Sequence, residues 1–143
     1  MIAELSRTEI DVLLREERVA RIGCHADGVT YVVPVIYVYD GESVYVQTVE
    51  GQKTRMMRAS PEVCVEVDRY ERESGSWRSV IAYGRYDELA GAEAERALAL
   101  LVDRFARDGG SRRRPEPTGR RPVAFRIRIE RATGRAVDRD PPQ

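Results

Sequence analysis

Between residues 18 and 49 the chain reads as three short strands separated by two tight turns, and this pattern constrains the fold more than any other feature. The segments 18–24, 30–39 and 43–49 are rich in valine, isoleucine and tyrosine, which favour strands. Ala-Asp-Gly at 26–28 and Asp-Gly at 40–41 are typical of tight hairpin turns. Strands joined by such short turns pair antiparallel, so the pattern predicts a meander.

Three further strands are predicted, at residues 62–67, 77–89 and 123–130. In the last of these, apolar and charged side chains alternate regularly, as in a strand with one buried face. Six mostly antiparallel strands predict a mainly β fold, a small barrel with peripheral helices, because closure of the sheet removes exposed edges.

Three helices complete the pattern. Ser6 and Glu9 have the spacing of a capping box at the start of the first helix. A short helix is expected at 53–59, ahead of Pro61, and a long one from Gly91, just before the last strand. The whole chain, 1–143, is expected to be one domain, with a core over about 5–132 and a frayed tail at 133–143.

Charge and hydropathy exclude several classes of protein. The chain has 24 basic and 24 acidic residues, so its formal net charge is zero, which argues against nucleic-acid binding by counterion release. The basic run at 111–114 lies among glycines and prolines and is read as a solvated loop. The longest apolar run, 31–39, is far shorter than the roughly 20 residues of a membrane span. Residues 1–7 do not resemble a secretion signal, so we expect a cytoplasmic protein.

Metal and nucleophile sites are also not expected. Two cysteines, Cys24 and Cys64, and one histidine, His25, are too few for a cysteine–histidine zinc site. The cysteines are expected to be reduced core thiols and His25 a turn residue. A Gly-x-Ser-x-Gly nucleophile motif is absent from the sequence.

Three features could carry chemistry. Pro34 interrupts a strand, which fits either a simple edge strand or a kinked strand beside a cavity. Lys53 is the single lysine among 24 basic residues and follows Gly51 at a predicted helix start, which fits either a phosphate site or a capped surface helix. Trp77, at a strand start beside Arg78, either fills the core or stacks at an interface.

Taken in order, these residues resemble a known family. The series Arg18-Val-Ala-Arg-Ile-Gly, Tyr31-Val-Val-Pro-Val, Gly51-Gln-Lys, Pro61-Glu-Val-Cys-Val and Trp77-Arg-Ser-Val is similar to the pyridoxamine 5'-phosphate oxidase-like flavin-binding split barrels. The branch of nitroimidazole-resistance-type proteins is the most similar. The resemblance covers about residues 5–132 and implies a six-stranded antiparallel split β-barrel.

The resemblance further implies a homodimer with FMN bound between the subunits. Val33 to Val35 would line the flavin ring, Gln47 and Thr48 would approach the ribityl chain and phosphate, and Gln52 and Lys53 would bind the phosphate. Trp77 and Ser79 would reach the cofactor across the dimer interface. The cofactor-binding residues predicted in this way are Val33, Pro34, Val35, Gln47, Thr48, Gln52, Lys53, Trp77 and Ser79.

Two departures from the family's residue pattern restrict the activity that we expect. Gln52 stands where the oxidase has a basic residue, and residues that would grip pyridoxamine phosphate near the C-terminus are not recognisable, so vitamin B6 oxidation is not expected. His25 does not match the histidine associated with the resistance-type proteins, so nitro-reduction through that residue is not supported.

The leading hypothesis is an FMN-dependent oxidoreductase acting on an unknown small molecule, with no clear acid or base beyond the candidates Tyr31 and Tyr37. Alternatives are a deazaflavin-dependent reductase, a non-catalytic flavin- or haem-binding protein, and an RNA-binding barrel that uses Arg112–Arg114.

Overall fold

The computed structural model describes residues 1–110 and 119–139. The helices are α1 (Arg7–Glu16), α2 (Gln52–Ala59) and α3 (Gly91–Arg107). The strands are β1 (Ala3–Glu4), β2 (Val19–Ala26), β3 (Val29–Ile36), β4 (Val38–Tyr39), β5 (Ser43–Val49), β6 (Glu62–Tyr70), β7 (Trp77–Leu89) and β8 (Pro122–Val137).

All strand pairs of the described part are antiparallel and form one sheet in the order β3-β2-β6-β7-β8-β5-β4, with β1 added beside β8. The predicted mainly β class is confirmed. The sequence predicts six strands, and the structure adds the two-residue strands β1 and β4. Such short strands have too few residues to show a periodicity in the sequence.

The β2–β3 hairpin is set by its turn. Asp27 and Gly28 both have positive φ, 51° and 77°, which matches the right-handed twist of the two strands that they join. The strands then pair in unbroken register from Ala26↔Val29 to Val19↔Ile36.

The sheet curls because one residue connects its two edge strands. β3 is one edge, β4 is the other, and Tyr37 alone separates them in the chain. Tyr37 is almost fully buried, and its hydroxyl donates to the carbonyl of Leu14 at 2.6 Å. The two edges therefore meet at Tyr37 and diverge from there, which produces a barrel that is closed at one end and split along the other.

The helices cover the two ends and one side of this barrel. α1 inserts Leu13 and Leu14 into the core at the Tyr37 end. α2 inserts Met56 and Met57 at the opposite end. α3 packs on β5 and β8 through Ala97. The predicted capping box of α1 is confirmed, since the Ser6 and Glu9 side chains accept from each other's backbone N–H groups.

One local feature differs from the sequence expectation, and a second could not be expected from the sequence. β8 continues to Val137, paired with Trp77, so residues 133–137 form sheet where a frayed tail is predicted. The pairing of β7 with β8 shifts register at Gly84, where an added Cβ would lie 2.3 Å from the carbonyl oxygen of Arg128.

The basic loop 111–114 lies outside the described residues. Within them, none of the helices has the length and apolar character needed to cross a bilayer.

Replacing Tyr37 with phenylalanine tests the junction of the two edge strands. Tyr37→Phe leaves the buried carbonyl of Leu14 without its donor, so we expect the free energy of unfolding to fall by about 1–3 kcal/mol. Urea unfolding measures this, with Tyr70→Phe as the control because Tyr70 is 64% exposed. Equal stability of the two variants would contradict the role given to Tyr37.

Candidate functional site

The split between β3 and β5 leaves backbone groups of both strands without a strand partner. In an antiparallel pair, alternate residues direct both backbone groups to the neighbour and the others direct both away. Tyr37 N–H donates to the Arg18 carbonyl across the β2–β3 pair, so the odd-numbered residues of β3 face β2. The backbone groups of Thr30, Val32 and Pro34 therefore face the split.

The same reasoning applies to β5. Glu50 N–H donates to the Arg121 carbonyl, so the even-numbered residues of β5 bond to β8. Tyr45 pairs with β4, and beyond it the backbone groups of Gln47 and Val49 are left facing the split. We call the gap between the free edges 30–34 and 47–49 the seam.

Pro34 is explained by its place on this edge. Its nitrogen faces the seam rather than β2, so no ladder hydrogen bond is lost, and the edge-strand interpretation is confirmed. The Pro34 carbonyl is left as an acceptor at the seam. The backbone groups of Val33 and Val35 face β2, and the Val35 side chain is buried in the core. Of the predicted trio, Pro34 is the residue whose backbone is free to meet a ligand.

Lys53 lies where α2 crosses the mouth of the seam. α2 starts two residues after β5 and packs against β2, so its first turn passes the end of the β3 edge. On a helix of 100° per residue, Lys53 falls between the buried Met56 and Met57, which directs it toward the barrel. Lys53 is half-buried.

The ammonium group of Lys53 has no hydrogen-bond or ion-pair partner in the described part of the chain. Burial lowers the pKa of Lys53, and no other cause contributes. A partly desolvated cation without a counterion is unfavourable, and an anion beside it would offset that cost. That Lys53 binds a phosphate stays a prediction.

Gln52 and Arg55 border clefts beside α2. Each of the two residues lines both clefts. The first cleft has a volume of about 510 Å³ and is also lined by Arg121, and the second has a volume of about 330 Å³ and is also lined by Val29. Arg55 is exposed and about 160° around the helix from Lys53, so the two cations point in different directions. That Gln52 and Lys53 together bind a phosphate stays a prediction.

Gln47 and Thr48 also diverge. Thr48 pairs with Val123, a core residue, whereas Gln47 pairs with Ala124, which packs beneath α3. Because successive side chains of a strand point to opposite faces, only Thr48 shares the interior side of the seam. Gln47 contributes its free backbone groups there.

Trp77 and Ser79 are remote from the seam within one chain. They lie on β7, three strand spacings of about 4.8 Å from β3, on the surface that faces away from the core. The prediction that they reach a cofactor from a second subunit stays a prediction. Trp77 is half-buried beside Tyr70 and Val137.

The start of α2 is held by a network that the sequence analysis missed. The Arg58 guanidinium donates to both carboxylate oxygens of Glu50 (2.7 and 2.8 Å) and to Glu88 (2.8 Å). The Thr54 hydroxyl donates to Glu50 at 2.9 Å, and the Tyr86 hydroxyl donates to Glu88 at 2.6 Å. These partners lie 4 to 38 residues from Glu50 and on two elements, α2 and β7, so no local pattern reveals the whole network.

The network holds the carboxylate of Glu50 in its charged form. Hydrogen bonds from Arg58 and Thr54 lower the pKa of Glu50 to about 2. Because Glu50 immediately precedes Gly51 and α2, this fixed ion pair anchors the segment that places Lys53 at the seam.

The outer face of β3, β2, β6 and β7, which points away from the core, is not covered by any described helix. One row across it is Val32–Gly23–Cys64–Tyr83, and Ile81 lies in the next row. Val32 is 63% exposed and Ile81 40% exposed. Exposed apolar side chains in adjacent rows are typical of an interaction surface.

The other sequence candidates lie elsewhere. The Tyr37 hydroxyl is bound to Leu14 at the closed end of the barrel, and burial raises its pKa, which is unsuited to proton transfer at the seam. Tyr31 packs against the core. His25 is on β2, not in the turn, and contacts Thr30. Both cysteines are free, and the described residues hold no group of three or more metal-ligating side chains.

Comparison with known proteins places these features in a family context. The profile of the family described as pyridoxamine 5'-phosphate oxidase matches residues 6–136. An uncharacterised protein of Rhizobium meliloti is 32% identical over 89 residues, which span 62% of this chain and 58% of that protein. The match thus covers less than two thirds of this relative.

Solved structures share the fold. A FAD-binding protein of Mesorhizobium loti is 32% identical with a TM-score of 0.79, over 96% of this chain and 99% of that one. A provisionally named 5-nitroimidazole antibiotic resistance protein of Bacteroides thetaiotaomicron is 17% identical (TM-score 0.78; 96% and 92% covered). A FAD and haem binding protein of Mycobacterium smegmatis is 20% identical (TM-score 0.72; 99% and 76% covered).

Acid titration tests the anchoring network. The depressed pKa of Glu50 stabilises the folded state above the ordinary carboxyl pKa of about 4.5, and this contribution is lost as pH falls toward 2. We therefore expect Glu50→Gln to lower the melting temperature at pH 7, and the difference from wild type to shrink between pH 4.5 and 2.5. Thermal melts measure this. Glu42→Gln, at an exposed carboxylate, is the control, and a gap that persists unchanged in acid would contradict the network.

Proposed function

The chain belongs to the pyridoxamine 5'-phosphate oxidase family, and we propose that it is a flavin-binding oxidoreductase that uses FMN to transfer a hydride to or from a small molecule. The observation that carries this proposal is that Lys53, at the mouth of the seam, is partly desolvated and has no counterion among the described residues. The name of the Mesorhizobium loti protein, which is FAD-binding and 32% identical, supports a flavin.

The residues of the seam would divide the binding of the cofactor between them. Lys53 would neutralise the phosphate, and the first turn of α2 would add the favourable field of its N-terminus. The free carbonyl of Pro34 is an acceptor suited to a ring N–H, and the free backbone groups of Gln47 are suited to polar atoms of the ribityl chain. Thr48 would add a hydroxyl from the interior side.

The bound flavin would supply the redox chemistry, and the protein would supply position and electrostatics. The apolar strand β3 limits water on one side of the seam. The Tyr37 hydroxyl is bonded to Leu14 at the closed end of the barrel, and Tyr31 packs against the core, so no acid or base is assigned.

We further propose that the working form is a homodimer joined through the outer face. Beyond its apolar rows, this face carries opposite charges on its two sides. β6 contributes the carboxylates of Glu62, Glu66 and Asp68, whereas β7 and β8 contribute Arg85, Arg131 and Arg135. A twofold axis would lay the acidic strip of one copy on the basic strip of the other. It would also bring the partner copy's outer face, which carries Trp77 and Ser79 in each chain, toward the seam.

Two alternatives are separated by cofactor titration. A deazaflavin carries its own phosphate and would use the same cation, so comparative binding of FMN, FAD and deazaflavin decides between them. A carrier or sensor would bind a flavin or haem without turnover. Oxidation of a reduced nicotinamide in the presence of the preferred cofactor distinguishes the oxidoreductase from such a protein, and protein that binds none of these cofactors would overturn the proposal.

Replacing Lys53 tests its phosphate role. Lys53→Met retains the aliphatic stem but removes the charge, so we expect the Kd for FMN to rise about 10- to 100-fold. Binding of riboflavin, which lacks the phosphate, should change less than about threefold. Quenching of flavin fluorescence measures both.

Arg55→Met is the matched control, because it removes a cation from the same helix on the side away from the barrel. This variant should bind FMN as wild type does. An equal loss of riboflavin affinity in Lys53→Met, or an equal loss of FMN affinity in Arg55→Met, would contradict the assignment.

Light scattering after size exclusion tests the dimer. We expect twice the mass of one chain for the wild-type protein, and mainly the single-chain mass for Ile81→Asp, which places a charge amid the apolar rows. Val12→Asp is the control, since Val12 has a similar exposure, 44%, on α1. A wild-type protein with the mass of one chain would rule out the dimer.

A further inference from the structure

The two clefts beside α2 share a wall, because Gln52 and Arg55 line both of them. The first, of about 510 Å³, is also lined by Arg120 and Arg121, and we call it the cationic cleft. The second, of about 330 Å³, is also lined by Val29 and Met56, and we call it the apolar cleft. A ligand that fills both clefts would pass Arg55 at their common wall.

The cationic cleft carries more positive than negative charge. Among the described residues, its lining contains the guanidinium groups of Arg55, Arg120 and Arg121 and the carboxylate of Glu50. Glu50 is already held by the guanidinium of Arg58, at 2.7 and 2.8 Å, so a residue outside the lining neutralises its charge. The remaining excess of positive charge favours an anionic ligand.

Arg55 has its hydrogen-bond donors available for such a ligand. It is exposed, and it forms no hydrogen bond or ion pair with any residue that the structure describes. Arg121, by contrast, donates to Glu88 at 3.3 Å and lies 3.6 Å from Glu50. A guanidinium presents its N–H groups in a planar fork that matches two oxygens of a phosphate. The cationic cleft therefore fits a phosphate or a diphosphate, with Arg55 as its main contact.

The apolar cleft offers a different surface. Ala26, Val29, Met56 and Ala59 line it, together with the carboxylate of Asp27 in the β2–β3 turn. Apolar side chains suit an aromatic base, and a carboxylate accepts hydrogen bonds from the hydroxyl groups of a ribose. The charge of Asp27 also repels a phosphate, so an anionic group is directed to the cationic cleft.

We propose that the two clefts together bind a nucleoside diphosphate group, with its phosphates at Arg55 in the cationic cleft and its ribose and base at Asp27 and Val29 in the apolar cleft. Both volumes lie within the range of about 300–1,000 Å³ that is usual for ligand pockets. The inference goes beyond the proposed function, since it does not require that Lys53 bind the flavin phosphate. A dinucleotide flavin and a reduced nicotinamide dinucleotide both contain such a group, adenosine diphosphate.

Isothermal titration calorimetry with ADP, the group that these molecules share, tests the site. We expect the wild-type protein to bind ADP, and Arg55→Met to raise the Kd about tenfold, because charge-assisted hydrogen bonds are lost. The melting temperature should not change, since Arg55 has no partner among the described residues. Arg7→Met, which removes an exposed arginine of α1, is the matched control and should bind ADP as wild type does. A wild-type protein that does not bind ADP, or the same Kd in both variants, overturns the inference.

Replacing Asp27 tests the place of the nucleoside. Asn is tolerated at the positive φ of this position, so Asp27→Asn keeps the turn while it removes the charge. We expect the Kd for ADP to rise about threefold, because hydrogen bonds to a charged acceptor are the stronger ones. The Kd for inorganic pyrophosphate, which has no ribose, should stay the same or fall. An unchanged or lower Kd for ADP would overturn the assignment of the apolar cleft.

Competition experiments separate the two sources of the diphosphate. If it belongs to the cofactor, ADP displaces FAD but not FMN, and Arg55→Met weakens FAD alone. If it belongs to the hydride donor, ADP competes with NADH while FMN stays bound, and Arg55→Met raises the KM for NADH without lowering kcat. Either result supports the inference, and an Arg55→Met variant that changes neither overturns it.

Lys53→Met distinguishes a failure of these clefts from a failure of the flavin site. This variant should bind ADP with the wild-type Kd, because Lys53 lines neither cleft. ADP binding that is lost in Lys53→Met and retained in Arg55→Met would overturn the assignment to the clefts. ADP binding that depends on Arg55 in a protein that does not bind FMN would support the clefts and overturn only the proposed function.

Discussion

The junction at Tyr37 is the constraint on which the rest of the structure depends. A sheet of this size would ordinarily have two distant edges, but here a single residue leaves one edge strand and enters the other. The buried hydroxyl bonded to Leu14 fixes that residue against α1. The barrel is consequently closed at one end, and its split lies at a defined place between β3 and β5.

The split, in turn, determines which groups can meet a ligand. Because backbone hydrogen bonds alternate in direction along a strand, the backbone groups of Pro34 and Gln47 are left free at the two edges. The helix α2, which carries Lys53, crosses the end of the split. The Glu50–Arg58 pair holds the start of that helix. In the proposed site, an ordinary edge strand, an ordinary helix start and an ion pair would act together.

The sequence predicts the strands well where turns and alternation are local. The bounds of β5 and β7 agree with expectation, as does the capping box of α1. It could not show that Lys53 falls between the buried Met56 and Met57, because that depends on which side of α2 is buried. Nor could it show the Glu50 network, since Glu88, which shares Arg58 with Glu50, lies 38 residues away in the chain.

The proline at position 34 has one more consequence. The free edge of β3 offers donors and acceptors to any passing peptide, which is the usual route by which strands of separate molecules stack into aggregates. A ring nitrogen in the middle of that edge removes one donor and obstructs a continuous ladder. Pro34 thus leaves the seam accessible to a compact molecule and hinders its pairing with a β-strand of another molecule.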